Sequence, residues 1–146
     1  MTQENKELLL KDICARLPYG VKVLVDNKHW IDFDGRTPSK LTFDNSYRLL
    51  YVGTNLGYVK PYLFPLSSMT EEQFVELKVF ADLIYESDTL ELVEWNDNYK
   101  TLEFWLEEVP SYCVIKVFDW LNKNHFDYRE LIPLGLAIDA TGKNVY

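Results

Sequence analysis

The stretch KPYLFPLSSMTEEQFVEL, Lys60 to Leu77, carries two signals of opposite kind. Its first half is apolar, with prolines at 61 and 65. Proline has no amide donor, so neither suits a central strand; residues 60–66 are expected to be extended, on a sheet edge or leaving the sheet. The second half starts a helix. The Thr70 hydroxyl can accept from the Gln73 amide while the Gln73 side chain reaches back, a capping box, and Met69 and Phe74 stand at the positions of a hydrophobic staple. Glu71 and Glu72 suit the positive end of the helix dipole. Phe74, Leu77, Ala81 and Ile84 share one face, with Phe80 beside them, which predicts a helix from Glu71 to about Tyr85. The prolines are spaced PxxxP, not the PxxP read by polyproline-binding grooves. The stretch therefore reads as a joint between sheet and helix.

Upstream, ENKELLLKDICARLP predicts a first helix. Leu10, Ile13, Cys14 and Leu17 fall at the spacing of one helical stripe, and Pro18 ends it. Between Val21 and Val59, short apolar runs alternate with Asp/Asn/Gly turns: VKVLV, KHWIDF, the loop DGRTPSK, LTF and YRLLYVG. That pattern predicts an antiparallel meander. Downstream, residues 88–106 fit a hairpin about Asn96–Asn98, with Leu90, Leu92, Tyr99, Leu102 and Phe104 in its strands, while TLEFWLEE also fits a helix. SYCVIKVFDWLNKNHF predicts a further helix with Val114, Val117, Phe118 and Leu121 as its stripe. DYRELIPLG reads as a short helical turn and LAIDA as a last strand. The expected fold is α+β in one domain, residues 1–146. It has a small, strongly bent antiparallel sheet, curved toward an SH3-like partial barrel, packed with about three helices.

Composition narrows the function classes. The chain has 146 residues, 47% hydrophobic, enough for a core. The apolar run of MTQENKELLLKDICARL is broken by Lys11 and Asp12 and is not followed by a small-residue cleavage site, so it is not expected to be a signal peptide. No stretch approaches the ~18 apolar residues of a membrane span. Cys14 and Cys113 sit among apolar residues and read as buried thiols of a cytoplasmic protein, with a disulfide between them as the alternative. The net charge of −8 is uneven. Residues 1–70 carry nine Lys/Arg against seven Asp/Glu, residues 71–108 two against twelve, and residues 109–146 four against four. The acidity thus belongs to 71–108. Direct nucleic-acid binding needs a basic surface that displaces counterions, so this composition argues against it.

Catalytic chemistry finds few carriers. His29 and His125 are the only histidines. In HWIDFD, Asp32 and Asp34 share a strand face but His29 points to the other, a poor parity for a metal. His125 follows a helix, where a histidine meets the last carbonyls and the dipole. Glu71–Glu72 and Glu107–Glu108 are adjacent and diverge. There is no GxGxxG, P-loop or GxSxG, and so no residue-level case for a catalytic, cofactor or metal site. The aromatics offer another lead. Trp95 and Tyr99 flank the Asn96–Asn98 turn among acids, with Trp105 following. Either this hairpin projects and presents the rings to a protein partner, or the rings fold back onto the sheet.

Three stretches together, LLLKDICARLPYGV (Leu8–Val21), KPYLFPLSSMTEEQ (Lys60–Gln73) and DWLNKNHFDYRELIPLGLAI (Asp119–Ile138), resemble a family of small uncharacterised proteins encoded in gut Bacteroidales and their phages and mobile elements. Those proteins often carry Gly where this chain has Glu130, and their tails differ from IDATGKNVY. The resemblance implies a cytoplasmic accessory protein and brings no catalytic residue with it. Three functions are therefore expected as alternatives. The first is a non-catalytic interaction protein that binds a protein partner through 71–108. The second is an acidic DNA mimic that inhibits a nucleic-acid enzyme. The third is a small enzyme whose pocket is assembled only in three dimensions.

Overall fold

A computed structural model describes residues 1–25, 35–42, 59–83 and 111–146. The fold is α+β, with three α-helices and an open sheet of five strands among these residues. In chain order they are α1 (Gln3–Arg16), β1 (Lys22–Val25), β2 (Ser39–Lys40), β3 (Val59–Pro65), α2 (Glu71–Phe80), α3 (Ser111–Lys123), β4 (Phe126–Asp127) and β5 (Ile138–Asp139). The contacts group into two units, Met1–Leu63 with Glu130–Tyr146, and Phe64–Arg129, and the chain passes between them within β3.

The sheet is mixed rather than wholly antiparallel. β1 pairs antiparallel with β2 and β3, whereas β4 and β5 pair parallel with β3. The two parallel strands come from the C-terminal part of the chain, which no meander of residues 21–59 anticipates. β2 lies inside what the sequence presents as the loop DGRTPSK.

β3 corrects the expectation drawn from its prolines, for it is the central strand, paired with β1, β4 and β5. The register explains how Pro61 fits. Val21 on the β1 run accepts from Leu41 N–H at 2.9 Å, so Val21, Val23 and Val25 turn their backbone groups toward β2. Alternation then turns Lys22 and Leu24 toward β3. Pro61 lies opposite Val23. That is a non-hydrogen-bonded position, so its missing amide breaks no bond to β1. The pairing with β5 begins only at Tyr62, opposite Ile138. Pro65 ends the strand.

In the first unit, Thr2 caps α1 by accepting from Asn5 N–H at 3.1 Å. The buried face of α1 is Leu9, Asp12, Ile13 and Arg16, one residue away from the stripe read in the sequence, and Leu10 and Cys14 are exposed. Two charges on the buried face are accommodated because Arg16 grips Asp12 twice, Nε to Oδ2 at 2.8 Å and a terminal nitrogen to Oδ1 at 2.9 Å. Both side chains are wholly buried. Leu9 and Ile13 pack with the valines of β1, Leu41, Val59 and Leu63. A 3-10 turn through Pro18 ends at Gly20, with φ 68° and its N–H on the Leu17 carbonyl. The left-handed φ is what favours glycine here; a Cβ would lie 2.5 Å from Lys40 Cε, the end of a flexible side chain that can move aside.

In the second unit, α2 begins as its sequence predicts. Gln73 N–H donates to Thr70 Oγ1 at 3.3 Å and Thr70 N–H to Gln73 Oε1 at 2.9 Å, the complete capping box. It ends five residues earlier than the apolar spacing suggests. Asp82 turns left-handed, φ 56°, with its N–H on the Val79 carbonyl and Leu83 N–H on the Lys78 carbonyl. This is a Schellman motif with aspartate in the usual glycine place, sealed by Leu83 in the same core as Leu77. α3 contributes Cys113, Val117, Trp120 and Leu121 to that core, with Val114 and Phe118 partly buried against it. Trp120 stacks on Phe126 at 5.7 Å between centroids.

Glu130 is a third left-handed position, φ 58°, and exposed. A side chain in this conformation costs roughly 1–2 kcal/mol, partly offset because glycine has more backbone freedom to lose. Glu130→Gly is therefore expected to raise stability by about 0.5–1 kcal/mol and Tm by about 2–4 °C, read by calorimetry. A lower Tm would show that the glutamate side chain contributes more than its backbone costs.

Candidate partner-binding face

α2 opens the acidic segment, and its two sides divide cleanly. Phe74, Leu77 and Ala81 are fully buried on one side. On the other, Glu71, Glu72, Val75, Glu76, Val79 and Phe80 are exposed. Val75 and Val79 stand one turn apart, 45% and 61% exposed, with the three glutamates on the same side of the helix. Phe80, placed by sequence beside the core stripe, is 40% exposed. Its ring lies 6.0 Å from Lys123 Nζ of α3, and Asp82 pairs with Lys116 of the same helix. These two contacts tie the C-terminal end of α2 to α3. α3 in turn exposes Tyr112 and Ile115, at 65% and 78%.

The electrostatics of this face are those of solvated groups. The backbone amide and then the Thr70 hydroxyl hold the Glu72 carboxyl below its ordinary range. Hydrogen bonding to Asp82 holds Lys116 above the usual lysine value. The Asp82–Lys116 pair is half to two-thirds exposed, and such pairs contribute little to stability. Among the described residues the face thus offers apolar area flanked by negative charge.

Other side chains singled out by sequence separate from this face or fall outside the description. Trp95, Tyr99 and Trp105 lie outside the described residues, as do the whole 88–106 stretch and His29, Asp32 and Asp34. His125 is buried and left-handed, φ 60°, with its N–H on the Asn122 carbonyl at 3.2 Å and its carbonyl accepting from Phe64 N–H at 2.9 Å. Its backbone closes α3 and joins it to β3. Asn122 and Tyr128 are buried nearby, joined by a 3.1 Å hydrogen bond from Tyr128 Oη. Cys113 is buried, but Cys14 is exposed, because the buried stripe of α1 runs one residue to its side; both thiols are free. Among the described residues no group of three or more His, Cys, Asp or Glu could hold a metal ion, and no helix is long and apolar enough to cross a membrane.

Val75 and Val79 were invisible as candidates in the sequence, where valines in a helix read as core. The signal that could have exposed them was angular: they fall between Glu71, Glu72 and Glu76 on a helical wheel, away from Phe74, Leu77 and Ala81. No family model, curated protein or solved structure matches the chain.

Proposed function

We propose that this is a non-catalytic, cytoplasmic interaction protein, an accessory of phage or mobile-element origin, that engages a protein partner through its acidic segment 71–108. The observation that carries this reading is the pair Val75 and Val79, exposed one turn apart on α2 and flanked by Glu71, Glu72 and Glu76. A partner that covers the valines removes apolar area from water, at about 25 cal/mol per Å². The glutamates select a partner whose apolar groove has a basic rim, and they speed its encounter. Interleaved valines distinguish this face from a phosphate-mimicking surface, which would need an unbroken row of carboxylates. Trp95, Tyr99 and Trp105 extend the same segment and are assigned to the same partner.

The test is to capture and identify the partner from host lysate, then measure its affinity for purified variants. Val75→Asp with Val79→Asp should weaken binding by about 100-fold, since each removes a contact of more than a kcal/mol. The folded far-UV spectrum should be unchanged, because both positions are exposed. Added salt should weaken the wild-type complex. Full affinity in the double variant removes α2 from the interface, and full affinity in a Trp95→Ala, Tyr99→Ala, Trp105→Ala variant removes the aromatics.

A further inference from the structure

The first unit holds a second recognisable arrangement, where Tyr146 meets the β1–β3 ladder. The register places Tyr62 opposite Lys22, one pair beyond Val23 opposite Pro61. Since Lys22 turns its backbone groups toward β3, a direct bond between Lys22 N–H and the Tyr62 carbonyl belongs there. A phenol stands in its place. Tyr146 Oη accepts from Lys22 N–H at 3.1 Å and donates to the Tyr62 carbonyl at 2.8 Å. The Lys22 ammonium lies 5.8 Å from the centre of the Tyr146 ring and donates to the Val145 carbonyl. Val145 is buried; Tyr146 is 44% exposed as a residue, while desolvation at its hydroxyl end pushes that hydroxyl up to about 12.

We propose that the slot between Lys22 and Tyr62 is a binding site for a phenol, filled in cis by Tyr146. The chemistry selects the ligand class. One group must accept and donate at once, which a hydroxyl does and which excludes ammonium groups and carbonyls. The Lys22 ammonium 5.8 Å from the ring centre favours an aromatic ring over an aliphatic alcohol. A tyrosine side chain meets both requirements, and a free phenol fits once the tethered one is withdrawn. The site is independent of the α2 face, so it stands or falls separately from the proposed function.

The experiment uses the full chain with Tyr146→Ala and the probe p-cresol, with toluene as control. The variant should melt below wild type. p-Cresol should raise its Tm saturably, shift the Lys22 amide resonance and leave wild type unaffected; toluene should do neither. No saturable response of the folded variant, an equal response to toluene, or the same response in wild type overturns the proposal. If the alanine variant does not fold, Tyr146→Phe decides. It keeps the ring and removes the hydroxyl, so exchange of the Lys22 amide should quicken roughly tenfold. Unchanged protection would mean that the strands close directly and that the hydroxyl is not a required ligand.

Discussion

Asp12→Ala is expected to lower the free energy of unfolding by about 3–5 kcal/mol. The argument rests on asymmetry. In the folded chain the Asp12 carboxylate and the Arg16 guanidinium are both removed from water and meet in a two-point grip. Their mutual attraction offsets the loss of hydration without greatly exceeding it. Deleting the carboxylate leaves the guanidinium in place, with two of its donors robbed of their acceptor. Urea unfolding followed by far-UV circular dichroism reads the change. The informative companion is Asp12→Leu with Arg16→Met, which removes both charges and keeps apolar volume on a face shared with Leu9 and Ile13. This pair is expected to recover most of the loss. A double variant as unstable as the single one would mean that the two charges hold neighbours that an apolar pair cannot.

Phe74→Ala is expected to cost about 3–5 kcal/mol, from lost apolar transfer and the cavity left behind. Phe74 is among the largest fully buried side chains, in the cluster with Leu77, Val117 and Leu121. It also carries the Lys78 ammonium 5.3 Å from its ring centre, and Lys78 is itself buried. Truncation therefore removes core volume and the face on which that ammonium rests. Five residues along the same helix, Val79→Ala should change stability by no more than about 0.5 kcal/mol. Thermal unfolding of both variants measures the contrast. A large loss at Val79 would assign it to the core and withdraw it from the proposed interface.

How much of this was legible depended on the range of the interaction involved. The start of α2 could be read to the residue, because a capping box is written within four positions. Its end could not: the left-handed turn falls on Asp82, an acid that marks no stop, while the apolar spacing continues past it. α1 was recognised as a helix but with its buried stripe displaced, since hydrophobicity alone passes over Asp12 and Arg16. Their pairing across four residues is what helps make them acceptable inside. Pro61 misled in the opposite direction. A missing donor forbids a central strand only where the ladder needs that donor, and register is decided by residues distant in sequence. The acidity of the α2 face was plain from charge counting, whereas its valines were not. The phenol slot had no signal at all, because Tyr146 meets Lys22 and Tyr62 across 124 and 84 residues.

The length of the strands has a practical consequence for handling the protein. Among the described residues the longest strand, β3, is the central one, while β2, β4 and β5 have two residues each. Strands of that length offer too few free amides and carbonyls to template the pairing of another chain. β2 adds a lysine within it, Lys40, and Pro38 just before it, two residues that discourage a foreign strand. Among the described residues β2 is an outermost strand of the sheet, so concentrated samples are expected to associate, when they do, through exposed apolar helix surfaces rather than through β2.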